Sequence, residues 1–69
     1  MSDSIYKIIE IVGTSTESWE KAAAGAVAKA SKTLRDLRIA EVEKLDMQIK
    51  DGKVEGYRAK LKVSFKFED

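Results

Sequence analysis

The stretch Gly13–Leu37, GTSTESWEKAAAGAVAKASKTLRDL, decides the fold. Trp19, Ala23, Ala26, Val27, Ala30, Leu34 and Leu37 recur at helical spacing, which predicts one helix of about 20 residues. Thr14 and Glu17 carry the capping-box pattern, and Ser15 or Thr16 would serve equally well as the first residue. Glu17 and Glu20 suit the positive end of the helix dipole; Lys29, Lys32 and Arg35 suit the negative end. The inward side is unusual. From Ala22 to Ala30 it offers nothing larger than Val27.

Upstream, SIYKIIEIVG (Ser4–Gly13) reads as a strand ended by Gly13. Ile5, Ile9 and Ile11 share one side, with Lys7; Tyr6, Ile8 and Val12 share the other, with Glu10. A strand apolar on both sides is usually buried on both. Downstream, a second strand is expected from Arg38 to Lys50. Ala40 and Val42 keep one phase, while Leu45, Met47 and Ile49 keep the other, so a bulge is expected near Glu43–Lys44. KDGK (Lys50–Lys53) is a hairpin turn. In the third strand Tyr57, Ala59, Leu61, Val63, Phe65 and Phe67 alternate with Arg58, Lys60, Lys62, Ser64, Lys66 and Glu68. The order is β-α-β-β. A right-handed crossover lets the third strand pair between the first two, giving an α+β, three-stranded antiparallel sheet partly wrapped around one helix. Residues 1–69 form a single domain, without repeat or linker.

Composition narrows the function. A chain of 69 residues is a marginal fold alone, and such domains rely on disulfides, metals or oligomerisation. There is no Cys and no His, which removes disulfides, thiolate ligands and the commonest general base. Thirteen Lys+Arg against 12 Asp+Glu leave +1, no broad footprint for nucleic acid or an anionic membrane. No apolar run is long enough to cross a bilayer, and MSDSIYK lacks the features of a signal peptide, so the cytoplasm is expected. Tyr6, Tyr57, the lysines and the carboxylates form no recognisable catalytic set, so no enzyme is expected. Arg58 and the lysines of the third strand line one sheet face, either simply solvated or attracting anions such as the phosphates of nucleotides or coenzymes, and they lack the interleaved aromatics of a nucleic-acid platform.

Dimensions suggest self-association. A helix of about 20 residues spans roughly 30 Å, whereas a strand of about 13 residues reaches roughly 43 Å. Alanine is also simply the best helix former. Combined with the long third strand and the twice-apolar first strand, however, a slim alanine helix implies apolar sheet covered by other copies of the chain.

These elements together resemble the dodecins, small bacterial and archaeal proteins. YKIIEIVGTSTESWEKAAAGAVAKASKTL is similar to that family's first strand, turn and alanine-rich helix, IAEVEKLDM to its second strand, and YRAKLKVSFKFED to its ending. The resemblance implies a hollow homododecamer of cubic symmetry, helices outside and sheets inward. It also implies flavin (riboflavin, FMN or FAD) stacked between tryptophans at the start of the second strand, with a glutamine of the third strand at the ring edge. This sequence departs from that pattern. LRIAEV places Ile39 at the tryptophan position, followed by Ala40, and Arg58 stands at the glutamine position. Ile39 offers no planar π-surface and Arg58 brings a fixed charge with donors only, so weakened flavin binding is implied. YR and VSFK resemble the calcium dodecins, which implies a calcium or magnesium site. Hard cations take several oxygens, and a symmetric shell can gather one carboxylate per subunit at an axis. Asp46 is the first choice, followed by Glu17, Glu20, Glu41 and Glu43. DGKVEG lacks the oxygen spacing of an EF-hand. The expected function is non-enzymatic binding and storage of a small ligand or ion.

Overall fold

The computed structural model describes residues 4–66. Strand β1 (Tyr6–Ser15), helix α1 (Trp19–Ala30), strand β2 (Leu37–Lys50) and strand β3 (Lys53–Lys66) follow in that order. β3 lies between the other two and is antiparallel to both. The expected β-α-β-β topology is therefore present. Phe67 and Glu68, assigned by sequence to the third strand, lie outside the described residues.

The turn chemistry is as the sequence implies. Asp51 and Gly52 both have positive φ (52° and 75°), the conformation a two-residue hairpin with right-handed twist requires. Three irregularities then displace the β2–β3 pairing, between Leu37/Ile39, Val42/Lys44 and Gln48/Ile49. The second is the bulge expected near Glu43–Lys44. It keeps Ala40 and Val42 on the same side as Leu45 and Met47.

The helix is shorter than the sequence suggests, 12 residues rather than about 20. Beyond Ala30 the hydroxyls act on the backbone: Ser31 Oγ donates to the Ala28 carbonyl at 2.8 Å and Thr33 Oγ1 to the Ala30 carbonyl at 3.3 Å. Such local bonds compete with helical ones. Leu34 and Leu37 therefore leave the helix, and Asp36 turns the chain at φ 58°. The start differs as well. β1 runs on past Gly13 to Ser15, placing Thr14 in the sheet opposite Arg58. Ser18 is the cap, accepting from the Lys21 N–H at 3.0 Å. Ser15 Oγ serves the turn before it, accepting from the Glu17 N–H at 2.9 Å.

Gly13 explains the alanines. A Cβ there would overlap the Ala22 carbonyl oxygen and lie 2.8 Å from the Ala26 Cβ. The helix backbone sits directly on the sheet, and larger side chains at Ala22 or Ala26 would lift it off. The resulting core is small. Among the described residues only Ala22, Ala59, Leu61 and Val63 are buried apolar residues, with Ile9, Ile11, Ala23, Ala26, Val27 and Leu37 packed around them.

The helix leaves much of the sheet bare. Twelve residues span roughly 18 Å beneath a 14-residue β3 of roughly 47 Å. α1 lies over β1 and β3, while β2 is exposed along nearly its whole length. Val42, Leu45 and Met47 are 49%, 51% and 44% exposed on the side the helix should shield. The radius of gyration, 14.4 Å, exceeds the roughly 11 Å of a compact chain this size.

Candidate functional site

Side chains alternate across a strand, so the burial of Ala59, Leu61 and Val63 under the helix sends Arg58, Lys60, Lys62 and Ser64 to the outer face. β1 contributes Ile8, Glu10, Val12 and Thr14 to that face, opposite these residues in turn. β2 contributes Ile39, Glu41, Lys44 and Asp46. The outer face is thus a lattice of charges edged by exposed Ile8 and Ile39.

At its centre Asp46 and Arg58 face one another. The guanidinium donates twice, Nε to Oδ1 at 2.7 Å and Nη2 to Oδ2 at 2.8 Å. This two-point fit is the strong form of an ion pair. The Arg58 hydrogen bonds hold the Asp46 carboxyl below its ordinary value, with smaller pulls from the Arg58 and Lys44 charges and a partial offset from desolvation. Arg58 is raised in turn by the same hydrogen bonds. From the other side of β2, the Trp19 indole N–H donates to the Asp46 main-chain oxygen at 3.0 Å. The indole also meets the Tyr57 ring edge-on, with centroids 5.0 Å apart and planes at 70°. Trp19 is a packing residue. Val12, Lys44 and Lys60 complete a hollow of about 200 Å³ around the Asp46–Arg58 pair.

The other sequence candidates are scattered. Ile39, 66% exposed, lies on the outer face opposite Ser64. Ala40 lies on the helix side opposite Val63, in a groove between α1 and β2 that Glu20 also lines. Ile39 and Arg58 share a face, but the step along β3 from Ser64 to Arg58 separates them by roughly 20 Å. Glu17 is ion-paired with Lys21 on the helix approach. Glu41 stands opposite Lys62, and Glu43 lies 3.5 Å from Lys62. Among the described residues, no three Asp or Glu gather into a metal-holding group. A single chain therefore completes neither the flavin-type pocket nor a carboxylate cage. The Asp46–Arg58 pairing and the Lys44 that flanks it escaped sequence reasoning, whereas Lys60 belongs to the basic face that the third strand predicts.

The dodecin family model matches residues 5–68, nearly the whole chain. The chain belongs to the dodecin family. It is 49% identical over 63 residues to the calcium dodecin of Mycobacterium tuberculosis, covering 91% of this chain and 89% of that protein. It is 42% identical over 65 residues to the dodecin of Thermus thermophilus, covering 94% of each. Among solved structures, the dodecin from Streptomyces coelicolor superposes with a TM-score of 0.93 at 40% identity, covering 100% of this chain and 99% of its own. The M. tuberculosis calcium dodecin, described as calcium-chelating with a novel calcium-binding site, superposes at 0.83 with 50% identity, covering 94% and 93%.

Proposed function

We propose that this dodecin is a non-enzymatic shell of twelve chains that binds and stores a small ligand at its subunit interfaces, with a divalent cation of the calcium type as the ligand. The likeness to the M. tuberculosis calcium dodecin over nine-tenths of the chain carries this reading. Two features of the site support it. Ile39 provides no aromatic plate for a flavin, and the separate carboxylates of one chain suit a cation held by several copies around an axis. Glu17, Glu20 and Glu41 are the ligands proposed; Asp46 joins them only where Arg58 is displaced. Magnesium is a weaker competitor, because it demands stricter octahedral geometry. The shell works in the cytoplasm on a dissolved ligand, with neither nucleic acid nor membrane as partner. Among the described residues no helix is long and apolar enough to cross a bilayer.

Flavin sequestration is the second reading, favoured by the family fold, with an affinity reduced because Ile39 stands in place of an aromatic plate. Calorimetric titration with calcium and magnesium, alongside quenching of riboflavin and FMN fluorescence, separates the two. Saturable calcium heats with feeble quenching support the cation; strong quenching with no calcium heat refutes it.

A further inference from the structure

The hollow at the centre of the outer face is lined by three cations, Lys44, Arg58 and Lys60, and a single carboxylate, Asp46. That carboxylate is committed. Both of its oxygens accept from Arg58, at 2.7 and 2.8 Å. Lys44 and Lys60 stand directly opposite each other on adjacent strands. Like charges so placed destabilise a sheet unless a negative group separates them. Lys60 has only long contacts, 3.5 Å to Glu10 and 3.9 Å to Glu43, and Glu43 is shared with Lys62 at 3.5 Å. Among the described residues, no carboxylate oxygen lies within the 4.0 Å ion-pair distance of Lys44. Opposed ammonium groups, a guanidinium with N–H groups left over from its pairing and an apolar floor at Val12 make up the chemistry of an oxyanion seat.

We propose that this hollow binds a phosphate-type oxyanion between Lys44 and Lys60, and that the Asp46–Arg58 pair sets its charge selectivity by withholding Asp46 from divalent cations. The site goes beyond the calcium reading and does not depend on it, since it uses none of Glu17, Glu20 or Glu41. Free phosphate and the phosphate group of a nucleotide share the required chemistry.

The assembled protein is titrated with inorganic phosphate, AMP and adenosine. Binding is followed by calorimetry and by the emission of Trp19, the chain's one tryptophan, which is bonded to the Asp46 main chain. Phosphate and AMP bind and adenosine does not; tighter AMP marks a nucleotide as the source, and equal affinities mark free phosphate. Lys44→Gln weakens phosphate about tenfold, the equivalent of one charge-assisted hydrogen bond, while Lys44→Arg retains it. Asp46→Asn removes the lone carboxylate of the hollow and tightens phosphate several-fold. Absence of phosphate binding, wild-type affinity in Lys44→Gln, or weaker binding in Asp46→Asn overturns the site. Arg58→Gln releases the Asp46 carboxylate and raises calcium uptake; unchanged calcium uptake in Arg58→Gln overturns the selectivity role. Lys60→Gln replaces Lys44→Gln should the latter fail to fold. A wild-type protein that takes phosphate but no calcium refutes the cation reading and leaves this one standing.

Discussion

The indole N–H of Trp19 and the main-chain oxygen of Asp46 lie 3.0 Å apart, joining the first turn of α1 to β2. Few other contacts link those two elements, so this bond ties the helix to a strand otherwise held by its pairing with β3. Trp19→Phe keeps the aromatic contact with Tyr57 and loses only the donor. It should cost about 1 kcal/mol, read as a lower denaturant midpoint at fixed protein concentration. Trp19→Ala, which also forfeits the ring contact, should cost about 3 kcal/mol. An unchanged midpoint for both would mean that the indole is ornamental.

The Asp46 carboxyl is held below its ordinary value of 3.8 by Arg58. In the folded chain it stays ionised to lower pH than in the unfolded chain. Its contribution is therefore complete above the ordinary value and is lost as pH falls through the depressed one. Unfolding of wild type and Asp46→Asn should differ at neutral pH and converge in acid below that ordinary value. A constant difference down to the lowest accessible pH would disconnect the ion pair from stability.

Gly13 and Gly25 make opposite predictions. Gly13→Ala drives a methyl group into the Ala22 carbonyl and the Ala26 side chain. The clash is with backbone, so the loss should exceed the roughly 1–3 kcal/mol of ordinary overpacking. At Gly25, inside α1, an added Cβ meets nothing within 4 Å. Gly25→Ala should stabilise by about 0.5–1 kcal/mol through helix propensity. Thermal unfolding of both variants checks this, and a tolerated Gly13→Ala would contradict the close seating of the helix.

Much of this architecture was legible in the sequence. Alternation from Tyr57 to Phe65 fixes β3, and the phase change after Val42 reveals a bulge, because a strand's period of two leaves little freedom. The helix ends were not legible. The apolar spacing runs on to Leu37, but the hydroxyls of Ser31 and Thr33 turn inward to the backbone, a competition that spacing does not record. The Asp46–Arg58 pair was hidden by a single residue. Counted back from the hairpin, with Lys50 opposite Lys53, Asp46 would meet Tyr57. The irregularity between Gln48 and Ile49 leaves Glu55 unpaired and shifts Asp46 onto Arg58. A sequence shows that a turn exists more readily than it shows such a slip. The carboxylates proposed as cation ligands lie apart within one chain, and a sequence does not show which of them a symmetry axis would gather.

Leu45 lies on the bare side of β2, 51% exposed, beside Val42 and Met47. In a lone chain Leu45→Lys would change little, because surface substitutions are usually within about 0.5 kcal/mol. In a shell it would place an unpaired charge in an apolar interface, where truncated or unpaired groups cost about 2 kcal/mol or more. The variant should elute as smaller species and unfold at lower denaturant than wild type. Wild-type assembly in Leu45→Lys would remove β2 from the interface.

One copy buries few apolar residues, and the proposed shell covers β2 with sister chains. Multi-angle light scattering on a dilution series addresses it most directly. A shell gives one dominant species about twelve times the 7.7 kDa chain mass, persisting on dilution. A folded species at the mass of a single chain, with an unfolding midpoint independent of concentration, would contradict it.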